Sequence, residues 1–193
     1  MSSQKIRCMV ECAAMTALAV VLSYIRVYKL PWGGSITLLS MLPIVVFSIR
    51  RGVGWGLGCS FLFSLFQFAQ GIGDGLFTWG LTPVMLAACI FLDYIGAYTS
   101  IGTAGLFKDK GNAGHIVGTV FALTLRFLFH FLSGVIIWHS YGELWNGFST
   151  ESTVLYSLLY NGSYMLPEII FTTIGAAALF AVPQTKKLLT VQG

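Results

Sequence analysis

Six long apolar stretches, separated by short polar loops, account for most of this sequence. An α-helix needs roughly 20 apolar residues to cross the hydrocarbon core of a bilayer. The predicted helices cover residues 7–27, 36–50, 52–71, 81–106, 114–140 and 152–182. The second is short, either because it is tilted or because the loop before it dips into the membrane. We therefore predict an all-α membrane protein, a six-transmembrane-helix bundle forming a single integral membrane domain over residues 1–193.

The composition supports a lipid environment and argues against several functions. Only 9% of the residues are charged and 56% are hydrophobic, whereas a soluble domain carries about 25% charged residues. The net charge of +4 is not gathered into a basic stripe, so nucleic-acid binding is not indicated. Cys8, Cys12, Cys59 and Cys89 form no CxxC pair, so we expect small buried residues, with no metal site and no cofactor.

The distribution of Lys and Arg indicates the orientation, because cytoplasmic loops of membrane proteins are enriched in these residues. With a cytoplasmic N-terminus, the outer side holds only Arg26 and Lys29. The inner side then holds Lys5, Arg7, Arg50, Arg51, Lys108, Lys110, Lys186 and Lys187. Both termini are therefore predicted to be cytoplasmic, in a multi-pass membrane protein.

Four ionisable residues fall at membrane depth: Asp93, Arg126, His130 and Glu168. A charge at the centre of a membrane helix costs about 3 kcal/mol on insertion scales, so such groups are usually paired or functional. At a rise of about 1.5 Å per residue, Asp93, His130 and Asn161 share one layer in the outer half. Arg126 lies one turn deeper and is expected to pair with a carboxylate, most simply Asp93. That pair could serve structure alone, and a role for Glu168 is left open.

Aromatic residues are predicted to stand around this layer. Tyr94 follows the carboxylate, and Trp138 and Tyr156 lie nearer the outer surface. Trp32 sits in the outer loop LPWGGS beside a double glycine, where it is either a lid ring or an interfacial anchor. Trp and Tyr are common at membrane interfaces in any case. A carboxylate among aromatic rings, however, suits a flat cationic ligand, because the rings add cation–π attraction.

Several stretches resemble a known family over nearly the whole chain. They are PWGGSITLLSMLPI with SIRRGV, LDYIGAYTSIGTAGLF, LRFLFHFLSGVIIW and YSLLYNGSYMLP. These resemble the thiamine-specific substrate-binding (S) components of energy-coupling factor (ECF) transporters. The resemblance implies a multi-pass protein of a bacterial plasma membrane that captures thiamine from outside and has no enzymatic activity. The ligand-binding residues that it implies are Trp32, Asp93, Tyr94, His130, Trp138, Tyr156 and Asn161. The segment WGLTPVMLAACIF matches the family poorly, so no contact is carried over from it.

The resemblance also implies protein partners. Ala13 and Ala17 match the AxxxA pattern with which family members dock on the coupling transmembrane subunit. Small residues four apart do let helices approach closely, although ordinary packing inside the bundle would use them too. Two ATPase subunits complete the family's transporter. This sequence has no GxxxxGK[ST] phosphate loop, so any ATP is used by partner subunits.

Three other functions remain open at this stage. The chain could be an S component for another vitamin, or for a thiamine precursor such as the hydroxymethyl-pyrimidine moiety. It could be a secondary transporter that works without partners. It could also be an intramembrane enzyme with Asp93 and His130 as acid and base, although neither a metal-ligand spacing nor a nucleophile beside a base is seen.

Overall fold

The structure is a computed structural model that describes residues 3–30 and 33–185. Trp32, Lys186 and Lys187 lie outside the described residues. The α-helices are α1 (Ser3–Tyr24), α2 (Leu42–Arg51), α3 (Val53–Gly73), α4 (Pro83–Cys89), α5 (Ala97–Thr99), α6 (Gly111–Ser133) and α7 (Thr153–Ala181). π-Helical stretches cover Ile90–Gly96 and Gly134–Trp138, and 3₁₀-helical ones Leu76–Thr78 and Ser100–Lys110. Four short strands are β1 (Arg26–Lys29), β2 (Ser35–Thr37), β3 (Gly142–Trp145) and β4 (Phe148–Thr150).

The helices are those of a membrane protein. Among the described residues, three stretches are long and apolar enough to cross a bilayer: Ser3–Tyr24, Pro83–Trp138 and Thr153–Ala181. The second breaks at Gly111, whose φ of +64° lies in the left-handed region that glycine tolerates best. Its two halves pack closely against each other, since a Cβ added to Gly118 would lie 2.3 Å from the Ala104 carbonyl oxygen.

The tight turn predicted at Arg50-Arg51-Gly52 is present. α2 ends at Arg51 and α3 begins at Val53, with Gly52 (φ +82°) as the only residue between them. Arg50 lies 2.7 Å from the Glu11 carboxylate, and Arg51 also bonds to it, so the turn is held against α1. The basic turn is therefore part of a charge network at one end of the bundle.

Most of the tightly packed interior lies toward this end. Phe47, Phe63, Ile101, Leu123 and Phe180 are among its buried residues. All four cysteines are free and buried, as the sequence predicts. The Cys59 thiol lies 3.3 Å from the Thr16 hydroxyl and so joins α3 to α1. We call this end of the molecule the closed half.

Two antiparallel hairpins lie at the opposite end, where only helices and loops were predicted. β1 pairs with β2 and β3 pairs with β4. The first predicted helix therefore stops at Tyr24 rather than residue 27, and the second begins at Leu42 rather than residue 36. Gly33 (φ +100°) allows the first hairpin to turn. The Thr37 amide and hydroxyl both donate to Glu168 on α7, so the buried Glu168 fixes this hairpin to the bundle.

Candidate functional site

A cavity of about 580 Å³ occupies the half of the molecule that carries the hairpins. Its walls come from the first hairpin, residues 74–98, the last turns of α6 with the stretch Gly134–Trp138, and residues 156–164 of α7. We call this end the cavity half. The residues that line the cavity are Lys29, Gly33, Gly34, Ser35, Asp74, Trp79, Asp93, Tyr94, Tyr98, Arg126, His130, Gly134, Trp138, Ser140, Tyr156, Ser157, Tyr160, Asn161 and Tyr164.

Every described member of the predicted ligand-binding set lies on this wall. The six residues are Asp93, Tyr94, His130, Trp138, Tyr156 and Asn161. They come from three helical segments that are far apart in sequence, as the depth argument requires. The structure thus brings these side chains together, and their binding role remains a prediction. Trp32, the seventh member, lies outside the described residues.

The Asp93 carboxylate is held by neighbouring side chains on α6. One oxygen lies 3.0 Å from His130 Nδ1, and the other accepts a hydrogen bond from the Ser133 hydroxyl. The Cys89 thiol, one turn earlier, is 3.4 Å from the same second oxygen. Asp93 sits in the π-helical stretch Ile90–Gly96, and π-helical turns occur often at functional sites. The carboxylate is therefore fixed in orientation at the cavity wall.

The prediction that Arg126 pairs with Asp93 is wrong. Among the described residues, Arg126 forms no ion pair within 4.0 Å, and its Nη1 and Nη2 atoms donate to Met41 Sδ and the Tyr98 hydroxyl, each at 2.9 Å. Its guanidinium carbon lies 4.4 Å from the centre of the Tyr98 ring. The physical reason is the position on α6: His130 and Ser133 face Asp93, whereas Arg126, at least one turn earlier, reaches the floor of the cavity.

Polar groups of α7 form a second side of the cavity. Asn161 donates to the Ser157 carbonyl and hydroxyl oxygens at 3.0 and 3.1 Å. The Tyr164 hydroxyl donates to the Asn161 amide oxygen at 2.7 Å. These bonds fix which edge of the Asn161 amide faces each neighbour. On α6, His130 Nε2 is buried without a hydrogen-bond partner in the described part of the chain, so it is available to a ligand.

Aromatic rings make up much of the remaining wall. Trp138 packs edge-on against Trp79, with 5.5 Å between ring centres. Tyr156 stacks on Tyr160 at 6.3 Å with an interplanar angle of 18°. Trp138 is 37% exposed, so one face of the indole is open to a ligand. Aromatic faces attract cations, and more strongly when they are desolvated.

Sequence reasoning missed four aromatic members of this wall: Trp79, Tyr98, Tyr160 and Tyr164. The last two follow Tyr156 at intervals of four residues, which places all three on one helix face. Tyr98 follows Tyr94 at the same interval. That spacing was a usable signal. Trp79 lies in a loop, where periodicity gives no information.

The first hairpin closes part of the cavity. Gly34 lies so close to Tyr164 that an added Cβ would be 2.6 Å from the ring, and its amide donates to the Tyr160 hydroxyl at 3.3 Å. The loop before α2 therefore enters the bundle, one of the two explanations offered for the short second helix. At the rim, Arg26 lies 2.8 Å from Asp74. Its hydrogen bond and charge, aided by Lys29, lower the pKa of Asp74.

The fold and the cavity define a helical membrane protein that can enclose a small, flat ligand with a polar edge. A comparison with protein families gives a more specific assignment. The thiamine transporter protein family matches residues 9–188, and the chain belongs to this family. The resemblance seen in the sequence is confirmed.

Individual relatives agree with this assignment. The chain is 35% identical to the thiamine transporter ThiT of Bacillus subtilis over 195 residues, which cover 93% of this chain and 92% of that protein. It is 25% identical to ThiT of Lacticaseibacillus paracasei, over 89% and 86% of the two chains. A solved structure of ThiT from Listeria monocytogenes has a TM-score of 0.76 and 24% identity, and covers 97% of this chain and 99% of its own. The relatives are named as transporters rather than enzymes.

Proposed function

We propose that this protein is the thiamine-binding S component of an ECF transporter and captures the vitamin from outside the cell. The observation that carries the proposal is the Asp93 carboxylate, fixed by His130 and Ser133 in a wall of aromatic rings. Thiamine is flat and cationic, and carries an aminopyrimidine edge. It therefore complements a cavity with one oriented carboxylate and several π faces.

Each part of the ligand has a proposed contact. The thiamine rings stack on Trp138 and on His130, whose Nε2 is unpartnered among the described residues. Asp93 faces the cationic or N–H-bearing part. Tyr156 and Asn161 bind the pyrimidine edge, since an amide can donate and accept, and Tyr94 reaches the hydroxyethyl arm. Trp32, which lies outside the described residues, closes over the bound ligand.

A ligand panel tests the proposal. Purified protein would be titrated with thiamine, the hydroxymethyl-pyrimidine moiety and an unrelated vitamin, following quenching of tryptophan fluorescence. Thiamine should bind far more tightly than the other two. Tighter binding of the pyrimidine alone would favour the precursor as ligand. Conversion of bound thiamine into a product would instead support an enzyme that uses Asp93 and His130.

We further propose that the chain works with a coupling transmembrane subunit and two ATPase subunits. Ala13 and Ala17 lie on the exposed face of α1, where two small side chains leave room for a partner helix. Ala13→Tyr should abolish ATP-driven uptake in vesicles that contain the complete transporter, while thiamine binding is retained. Leu18→Tyr, on another part of the exposed face, is the matched control. Uptake by the purified chain alone would contradict the proposal.

We propose that the six helical segments all cross the plasma membrane, with both termini in the cytoplasm. α2 has ten residues, about 15 Å at 1.5 Å per residue, so the entering first loop completes this crossing. A cysteine introduced at Gly147, in the second hairpin, should react with a membrane-impermeant maleimide in intact cells. One introduced at Lys110 should react only after the cells are opened. The reverse result would invert the orientation.

A further inference from the structure

A second, smaller hollow lies beside the ligand cavity, and we call it the polar chamber. Its volume is about 70 Å³, well above the ~10–15 Å³ that one water molecule requires. Its lining includes Ser23, Thr37, Ser40, Gln67, Gln70 and Arg126. These side chains present hydroxyl, amide and guanidinium groups. The chamber therefore suits a small polar occupant rather than an apolar one.

Two hydrogen-bond donors of this lining are unused in the described part of the chain. Arg126 Nε and Gln67 Nε2 are both buried without a partner there. The two residues are only 6% and 8% exposed, so neither is solvated at the protein surface. The other nitrogens of Arg126 donate to a thioether and a phenol, and neither acceptor carries a charge. A buried guanidinium normally requires a negative partner.

The charged side chains that line the chamber favour an anion over a cation. They are Arg26, Arg126 and Asp74, two positive groups and one negative, so the lining carries one net positive charge. Asp74 is already engaged by Arg26 at 2.8 Å and by Lys29 at 3.5 Å. The carboxylate of Glu168 accepts two hydrogen bonds from Thr37. Within the described residues it forms no ion pair within 4.0 Å of Arg126, and its charge acts on the guanidinium only from farther away.

We propose that the polar chamber is a binding site for a small monovalent inorganic anion, with chloride as the physiological candidate. Arg126 Nε–H and the Gln67 amide are its principal donors. The anion supplies the counter-charge for a guanidinium that also forms part of the ligand cavity. Without it, the field of Arg126 opposes entry of any cationic ligand next door.

The chamber is coupled to the ligand cavity by a shared wall. Ser35, Tyr94, Tyr98 and Arg126 line both. An anion in the chamber therefore raises the affinity for a cation in the cavity, and the cation raises the affinity for the anion by the same factor. This coupling rests on the proposed function, whereas anion binding itself does not. We expect chloride to tighten thiamine binding about fivefold, the lower end of typical couplings.

Two measurements on the purified full-length protein test the site itself. In crystals grown with bromide, anomalous scattering should place a bromide within hydrogen-bond distance of Arg126 Nε and Gln67 Nε2. Without thiamine, the melting temperature should be higher in chloride than in gluconate at the same ionic strength, because an ion that binds only the folded state stabilises it.

Variants of Gln67 make the test specific. Gln67→Glu adds a carboxylate to the chamber lining that includes Arg126 and should remove the chloride dependence of melting. Gln67→Leu, with no charge, should weaken it and serves as a second variant if the first folds poorly. Gln184→Glu carries the same charge change at an exposed position and should respond to chloride like the unmodified protein.

The outcomes separate this proposal from the proposed function. Melting that is insensitive to chloride, together with no bromide at the two donors, overturns the anion site and leaves water as the occupant. An equal chloride response in Gln67→Glu overturns it as well, since the ion must then bind elsewhere. Chloride-dependent melting that Gln67→Glu abolishes, in a protein that fails to bind thiamine, supports the anion site and rejects the proposed ligand.

Discussion

The two halves of this molecule use small and polar residues in different ways. In the closed half, glycines let helices approach: a Cβ on Gly102 would lie 2.5 Å from the Leu57 backbone nitrogen. Its main charged group, Glu11, is paired with two arginines. In the cavity half, by contrast, His130 Nε2 and Arg126 Nε have no partners in the described parts of the chain. Unpartnered buried groups occur in both halves of the described structure, Arg50 Nε and His115 Nδ1 among them in the closed half, but His130 and Arg126 line the cavity where a ligand is proposed to bind.

This contrast predicts which property, stability or ligand affinity, a substitution in each half should change. If the two halves act independently, a change in the closed half should alter stability and leave a cavity at the other end unaffected. A change in the cavity half alters interactions with a ligand and leaves much of the packing intact. The following substitutions test this distinction through ligand affinity, thermal stability or both.

The largest effect is expected at Asp93. Asp93→Asn keeps the shape of the side chain but removes the charge that His130 and Ser133 orient, so thiamine affinity should fall about 100-fold, consistent with the 2–5 kcal/mol that truncation of a buried charge pair costs. Fluorescence titration measures the loss. Glu11→Gln, in the closed half, should lower the melting temperature and leave affinity within about twofold. Unchanged affinity in Asp93→Asn would reject the role of the carboxylate.

The next largest effect is a loss of stability expected at Gly56, in the closed half. A Cβ at Gly56 would lie 2.7 Å from the Ser48 hydroxyl and 2.8 Å from the Gly102 carbonyl oxygen, so Gly56→Ala overpacks the contact and should cost about 1–3 kcal/mol of stability. Gly58→Ala, two residues along the same helix, meets nothing within 4 Å in the described structure. It should match or exceed the original stability, since alanine favours helix. Thermal unfolding compares the two.

Gly56→Ala should not change thiamine affinity per folded molecule. If it weakens thiamine binding as strongly as it lowers stability, the two halves are coupled and the distinction between them fails.

The sequence predicted the features of this site that follow from helix geometry, and missed those that depend on the neighbours of a side chain. The 1.5 Å rise of a helix was enough to place Asp93, His130 and Asn161 on one cavity wall. The separate prediction that Arg126 pairs with Asp93 failed, because the direction of a long side chain is decided by its neighbours. Met41 and Tyr98 come from segments whose contact with α6 no periodicity reveals.

The parts of the fold that sequence missed share a physical cause. The π-helical stretches around Asp93 and Trp138 and the two hairpins depend on tertiary contacts rather than on local propensity. Hydropathy predicts a continuous helix through residues 134–138, because it records polarity and not hydrogen-bond register. The first hairpin is positioned by Glu168, 131 residues away from Thr37, so its position could not be read from the local sequence.

A smaller effect is expected at Trp138. Trp138→Ala removes one open aromatic face and should weaken thiamine binding about tenfold, or about 1.4 kcal/mol. Trp55→Ala is the matched control, since Trp55 is similarly exposed at 40% but lies in α3 outside the cavity wall. Both variants are titrated by calorimetry, because each changes the fluorescence signal. Equal affinities in the two variants would contradict stacking on Trp138.

The smallest effect concerns the rim of the cavity half. The folded state lowers the pKa of Asp74 below its ordinary value of 3.8, through the hydrogen bond and charge of Arg26 and the charge of Lys29. The ionised carboxylate therefore stabilises the fold above that ordinary value, and the contribution is lost as the pH falls through the lowered pKa. Because the pair is partly exposed, the gain is at most about 1 kcal/mol.

Asp74→Asn should accordingly melt slightly below the unmodified protein at neutral pH. The difference should be constant down to about pH 4 and shrink below it, where the unfolded-state carboxyl binds a proton first. Melting curves over this pH range, at low and high salt, measure it, and salt should reduce the difference because the pair is near the surface. A difference that grows on acidification would have the wrong sign. It would mean that the Arg26–Asp74 pair does not hold the first hairpin against the end of α3, and the rim would then have to be stabilised by the contact of Gly34 with Tyr164.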